Sequence, residues 1–339
     1  MRNAEERKKS RAGETRERRL PRRLGALAAA MLTGAAIWGP AAAENEAFVS
    51  LQAETQETAA VPAAAKEGAL PIEGPAPWPP VESALGADGL SYDDGTLQVR
   101  IEPDRANDTN IYWVSVRIQD ASQLRTALAG GKGTKVQASP LAIARRANAV
   151  LALNGDFFTS HNSGVVYRQG ELLRDVPAYS RDELLIDENG DLHILAFPPK
   201  TARQVIADAI ADFQTVHQIR EAFCFGPGLI IDGVRQQFDY TEKVSCGYPT
   251  RAQRIIFCQT GPLEYLFLVT EGKEQNQPGF TVPECVDLLE ARGGIQQAYN
   301  LDGGNSSQII LCGEKVNARE YGKARDIADM IVFATLVQP

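Results

Sequence analysis

The pattern that most restricts this chain is a recurring one: short apolar runs, rich in β-branched and aromatic residues, separated by tight-turn residues. Ile111-Tyr-Trp-Val-Ser-Val-Arg-Ile118 alternates with a period of two, the spacing of a strand with one buried face. Leu97-Gln-Val-Arg-Ile101 and Val150-Leu-Ala-Leu153 read as further strands. Leu184-Leu-Ile-Asp187 and Leu192-His-Ile-Leu195 flank Glu188-Asn-Gly-Asp191, a hairpin signal. Arg254-Ile-Ile-Phe257 and Tyr265-Leu-Phe-Leu-Val269 flank Thr260-Gly-Pro262 and form a second. Helical spacing interrupts these runs over 141–148, 202–213 and 282–292. The last has a capping signature: Thr281 as N-cap, Pro283 in the first turn, Glu284 to close a capping box, and Gly293 as the stop. Hairpins mixed irregularly with helices predict an α+β fold, a single mixed domain over 92–339.

What precedes that domain has a different composition. Residues 1–23 hold ten Lys/Arg and four Glu, and the uncharged run Leu24–Trp38 follows. Gly39-Pro-Ala-Ala-Ala43 comes next. This basic, apolar, small-residue order predicts an export signal or signal anchor over 1–43, with Ala41-Ala-Ala43 as a cleavage sequence. Extended to Ala43, the run has about 20 residues, enough to span a bilayer if it is not removed. With the basic end inside, everything after residue 44 is expected outside the cytoplasmic membrane. Residues 44–91 are dominated by Ala, Glu, Pro and Thr and lack apolar periodicity, so they are expected to form a disordered tether. Without its first 23 residues, the chain carries 25 basic against 39 acidic side chains, a net of −14. A body that acidic repels phosphate backbones, so nucleic acid is not an expected partner.

Several chemistries are excluded by what is missing. There is no G-x-S-x-G elbow, no H-E-x-x-H and no P-loop. The five cysteines, at 224, 246, 258, 285 and 312, form no C-x-x-C pair, so no zinc knuckle is expected. In an exported chain, an odd number leaves room for two disulfides and a free thiol, or none. A bridge among Cys224, Cys246 and Cys258 is one such option. His161, His193 and His217 are scattered, and His193 and His217 read as ordinary strand and helix residues. No metal and no cofactor are expected, although a structural or site cation such as calcium stays open.

Two glycine-bearing polar turns stand out. Asn154-Gly-Asp-Phe-Phe158 follows an apolar strand, and Tyr299-Asn-Leu-Asp302-Gly-Gly-Asn-Ser-Ser307 precedes Ile309-Ile-Leu311. Each places a short polar side chain, Asn154 or Asp302, beside glycine, where backbone can approach a ligand with no Cβ in the way. Either alone is a common hairpin turn. Two of them with oxygen ligands, one followed by paired serines, point to a site.

In chain order, these turns and five further segments resemble the phosphodiester glycosidase family. Asn154-Gly-Asp-Phe-Phe158 is similar to its N-G-x-F-F, and Phe225-Gly-Pro-Gly-Leu-Ile230 with Asp232-Gly233 to its central strand and turn. Pro249-Thr-Arg251-Ala252 is similar to its P-R-T-A segment, with Arg251 or Arg254 as the family arginine. Glu271-Gly272 and the helix from Thr281 to Leu289 follow. Asn300-Leu-Asp-Gly-Gly-Asn-Ser-Ser307 is similar to the specific N-L-D-G-G-x-S-S core, and Arg325-Asp-Ile-Ala328 to the closing R-x-V-A. The resemblance runs from about residue 145 to the C-terminus.

The resemblance implies hydrolysis of a sugar joined through its anomeric carbon to a phosphodiester. Such a leaving group is already a weak base, so a strong general acid matters less than in an ordinary glycosidase. A cation near the phosphate and a carboxylate near the anomeric centre are needed instead. Arg251 and Arg325 are the candidates for the first, since guanidinium forks match phosphate. Asp302 is the candidate nucleophile or oxocarbenium stabiliser, with Glu271 and Asp156 in reserve. Asn154, Gly155, Gly303, Gly304, Ser306 and Ser307 are expected to line the substrate. The implied partner is a small or polymeric sugar phosphodiester. A second class is a non-catalytic glycan-binding or polysaccharide-assembly protein of the same fold. A third, P–O cleavage at a two-metal centre, would need clustered His and Asp ligands.

Overall fold

The computed structural model describes residues 68–338, except 180, 199, 238–248, 274–275 and 318–324. The expected signal segment lies outside the described residues, as do the first half of the expected tether and Cys246. Three antiparallel sheets dominate. The largest has eight strands in the spatial order Ser91–Asp93, Leu97–Ala106, Thr109–Ile118, Glu264–Thr270, Ile255–Gly261, Gln297–Asn300, Gly228–Ile231 and Val234–Arg235. A second contains Glu171–Arg174, Val166–Arg168, Ile219–Phe223, Glu183–Asp187 and Leu192–Leu195. The third contains Glu314–Lys315, Ile309–Leu311, Leu151–Asn154, Asp329–Phe333 and Leu124–Leu128.

Three α-helices accompany the sheets among the described residues: α1 (Pro140–Arg146), α2 (Arg203–Gln214) and α3 (Val282–Arg292). The α+β expectation therefore holds in coarse form, with sheet the larger part. Each predicted helix and both predicted hairpins are present. Thr281 and Glu284 close the capping box on α3, each side chain bonding the other's backbone N–H. None of these helices is long and apolar enough to cross a membrane.

The apolar faces meet in one main core. Leu97, Val114, Leu151, Leu153, Phe257, Phe267, Tyr299 and Phe333 are all buried there, contributed by the first and third sheets. Phe257 and Phe267 stack with centroids 4.4 Å apart, across the paired positions of the second predicted hairpin.

Two expectations need correction. The segment from Leu70 to Leu90 was expected to be tether, yet Leu70 and Ala76 are buried against Ala334. Arg125 donates to the carbonyls of Pro71, Ile72 and Gly74 at 2.5, 3.2 and 2.9 Å. An extended proline-rich backbone keeps its carbonyls unpaired, and a buried guanidinium captures them. The bridge drawn among Cys224, Cys246 and Cys258 finds free thiols at both Cys224 and Cys258. Cys258 sits in the middle of a buried strand, and Cys224 opens the turn after Phe223.

Candidate functional site

Antiparallel pairing in the third sheet assembles the candidate site. Strand Leu151–Asn154 runs against Ile309–Leu311 on one side and Asp329–Phe333 on the other. Its C-terminal end, Asn154-Gly155, therefore meets the N-terminal ends of both neighbours, which begin just after Ser307-Gln308 and at Asp329. Asp302 arrives from a different sheet. Strand Gln297–Asn300 pairs with Ile255–Gly261 in the eight-stranded sheet, and Leu301 N–H still donates to Ile255 O at 2.9 Å. The Asp302 loop is thus the crossing from one sheet to another.

Asn154 is buried and joins the two turns. Its Nδ2 donates to the Asp302 carbonyl at 2.6 Å, and its Oδ1 accepts from Gln308 N at 3.3 Å. Two glycines permit the approach. A Cβ on Gly155 would stand 2.9 Å from an Asp329 carboxylate oxygen, and one on Gly303 would collide with the Gln253 carbonyl. Gly304, at φ +62°, donates to that same carbonyl at 3.1 Å.

Asn154, Gly155, Asp156, Asp302, Ser306 and Arg325 line one small cleft. Burial pushes the Asp302 carboxyl up from 3.8 to about 6. The nearby Ser306 hydroxyl, Arg325 and Gly303 N–H pull it down by less, and Asp156 adds to the rise. Ser306 Oγ and Ser307 Oγ are buried and lack a hydrogen bond of good geometry among the described residues. Ser306 lines the cleft beside the Asp302 carboxyl, whereas Ser307 lies outside the lining. Arg325 stands exposed at the edge, its backbone N–H 3.4 Å from Asn305 O.

The reserve residues have other surroundings. Asp156 is buried and fully engaged: Oδ1 accepts from Arg168 Nη2 and Phe158 N at 2.9 and 3.1 Å, and Oδ2 accepts from Cys224 N at 2.9 Å. Glu271 lies outside the cleft lining, where Asn110 Nδ2, Tyr112 OH and Gln277 Nε2 donate to it at 3.0, 3.1 and 2.6 Å. Arg251 is outside it too. Its guanidinium donates to Gly279 O at 2.9 Å and pairs with Glu284 at the start of α3. Arg254 is buried, donating to the carbonyls of Phe280 and Thr250 at 3.1 and 2.5 Å. Of the expected arginines, only Arg325 is brought to Asp302.

Sequence reasoning missed the support beneath the cleft. Arg168 is 1% exposed and bonds both Asp156 and Asp329, with Arg168 Nε and Nη2 at 2.8 and 2.6 Å from Asp329 Oδ2. Its guanidinium also lies 4.2 Å from the Phe223 ring centroid. Burial pushes the Asp329 carboxyl up, opposed by Arg168. The available signal was Asp329 at the head of the apolar run Met330-Ile-Val-Phe333, since a carboxylate there must find a buried partner. Arg174 was also missed. It donates to the carbonyls of Phe158, His161, Ser163 and Gly164 at 2.6–2.8 Å, and so pins the loop after Asn154-Gly155.

The turns thus bring one carboxyl raised by burial and one exposed guanidinium to a single small cleft. Residues 147–334 match the phosphodiester glycosidase model, and the chain belongs to that family. The fold agrees. The catalytic domain of zebrafish N-acetylglucosamine-1-phosphodiester alpha-N-acetylglucosaminidase, auto-inhibited by its pro-peptide, superposes with a TM-score of 0.57 at 16% identity, over 72% of this chain and 85% of that one. A hypothetical protein from Synechocystis superposes with a TM-score of 0.54 at 16% identity, over 70% of this chain and 62% of that one. In sequence, the SPbeta prophage-derived protein YomE of Bacillus subtilis (strain 168) is 25% identical over 207 residues, 60% of this chain. The chain spans 30% of that relative's length.

Proposed function

We propose that this chain is an exported hydrolase that cleaves the anomeric C–O bond of a sugar linked through a phosphodiester. The observation that carries the reading is Asp302, a carboxyl raised to about 6 by burial, in one cleft with Arg325. Above pH 6 the group is mostly ionised in a poorly solvated place, where its charge acts more strongly than in water. Positive charge developing at the anomeric carbon is what such a carboxylate stabilises, by ion pairing or by covalent attack. Arg325 suits the phosphate, because its planar fork bonds two oxygens and offsets the charge of the departing phosphomonoester. Ser306 and Ser307 offer hydroxyls to the sugar or phosphate, and Asn154 holds the Asp302 backbone in place. Export rests on the basic, apolar and small-residue order of residues 1–43.

Hydrolysis of an N-acetylglucosamine-1-phosphodiester in isotope-labelled water tests the chemistry. Label in the released sugar is the expected result. Label in the phosphate means attack at phosphorus and overturns the mechanism. Binding of the substrate without turnover would assign the fold to a glycan-binding protein instead.

A further inference from the structure

Two of the three histidines, scattered in sequence, converge on one carboxylate oxygen away from the Asp302 cleft. Asp187 ends strand Glu183–Asp187, and His193 lies in its hairpin partner Leu192–Leu195. The register pairs Leu185 with His193, so Asp187, two residues beyond Leu185, shares the face of His193. That face is the one α2 covers, with Leu185 packed among Ile206 and Ile210. The chain leaves α2 at Gln214 and returns to strand Ile219–Phe223 through His217.

The resulting geometry is compact. His193 Nε2 and His217 Nδ1 each lie 3.1 Å from Asp187 Oδ2, and the three atoms fall within 4.8 Å of one another. Phe213 orients both rings, stacking on His217 at 4.8 Å and meeting His193 edge-on at 4.9 Å. The other Asp187 oxygen is occupied, accepting from Asn189 N at 2.8 Å and Asp191 N at 3.0 Å. Oδ2 is thereby aimed at the imidazoles. His217 Nδ1 is buried, yet it has no hydrogen bond of acceptable geometry despite its distance to Oδ2. Two groups that close without a hydrogen bond between them have the relation of neighbouring ligands around a third atom. Bond lengths of about 2.0–2.1 Å in a tetrahedral zinc site place ligand atoms roughly 3.3 Å apart.

We propose that Asp187, His193 and His217 form a binding site for a divalent transition-metal ion of the zinc type. Imidazole nitrogen with carboxylate oxygen suits zinc and its neighbours better than magnesium or calcium, which favour all-oxygen shells. The histidine side chains are 31% and 29% exposed and the Asp187 side chain 1%. The site is therefore anchored from inside, with parts of both imidazole rings reaching the surface. A bound ion would tie the Asp187–His193 hairpin to the connection that follows α2, where Glu188 already accepts from Gln218 N at 2.7 Å.

The test uses the purified full-length chain, stripped with a chelator and titrated with Zn²⁺ and Co²⁺. One equivalent of either ion should bind, Co²⁺ should give the visible absorption of a four-coordinate site, and Zn²⁺ should raise the melting temperature. The double variant His193→Gln, His217→Gln should bind Zn²⁺ at least a hundredfold more weakly, with an unchanged circular dichroism spectrum. Asp187→Asn keeps an acceptor for Asn189 and Asp191 and should also weaken binding. If the double variant binds as tightly as the parent chain, the free thiols or other groups hold the ion and the assignment fails. If the parent chain binds neither ion, the cluster is only a hydrogen-bonded one and the assignment fails equally.

Discussion

Replacing Asp302 with Asn should abolish activity and, at neutral pH, stabilise the fold. The carboxyl rises from 3.8 to about 6 on folding because burial disfavours its charged form, and that shift is already net of the attraction to Arg325. As pH rises, the unfolded chain loses this proton first, near 3.8, while the folded chain holds it until about 6. Between those values the unfolded state binds fewer protons, so stability falls with rising pH. Below 3.8 the group carries no penalty; above about 6 the penalty is complete. A shift of roughly two units at about 1.4 kcal/mol each gives a penalty of ~3 kcal/mol at pH 7.5. Asparagine has nearly the same shape and no charge to desolvate, so its advantage should grow from under ~1 kcal/mol near pH 4 to ~3 kcal/mol at pH 7.5. For a domain of this size that corresponds to roughly 6–12 °C in melting temperature. Thermal unfolding of both proteins from pH 4 to 8, with turnover measured alongside, reads both effects. Parallel stability curves across that range would refute the argument that Asp302 is a desolvated carboxylate. Near-normal turnover in the variant would move the carboxylate role to Asp156 or Glu271.

The same raised value predicts a pH–rate limb: kcat/KM should climb through an apparent value near 6 and level off above it, and a flat profile from pH 5 to 8 counts against Asp302 as the ionised group. Arg168→Met leaves Asp156 and Asp329 buried without their shared partner, so denaturant unfolding should report a loss of ~3–5 kcal/mol, and a loss under ~1 kcal/mol would contradict the pairing. Arg325→Lys should lower kcat/KM about ten- to a hundredfold by removing the bidentate fork, whereas Arg251→Lys, at a residue already paired with Glu284, should change it little; the reverse ranking would return Arg251 to the site. Gly303→Ala sets a Cβ against the Gln253 carbonyl and should cost activity through a displaced Asp302 loop, visible as lost turnover in a chain that still folds; unchanged kinetics would show that the loop tolerates the shift.

Local order was legible from the residues. Thr281, Pro283, Glu284 and Gly293 delimit α3 because capping acts within four residues. Both hairpins follow from apolar runs around a tight turn, and Asn154 and Asp302 stand out as polar residues beside glycine. Which of these meet was not legible. Strands near residues 124, 151, 309 and 329 share one sheet, and that order depends on which apolar faces bury one another across just over two hundred positions. It brings Asn154 to the Asp302 carbonyl, sets Arg168 between two carboxylates and leaves Arg251 beside α3. The histidines illustrate the same limit. His193 and His217 are 24 positions apart and carry no motif, yet the hairpin register and the exit from α2 place both against Asp187. Turns and caps depend on neighbours a few residues away, whereas a site depends on strand order, and strand order is settled only when the whole core is buried together.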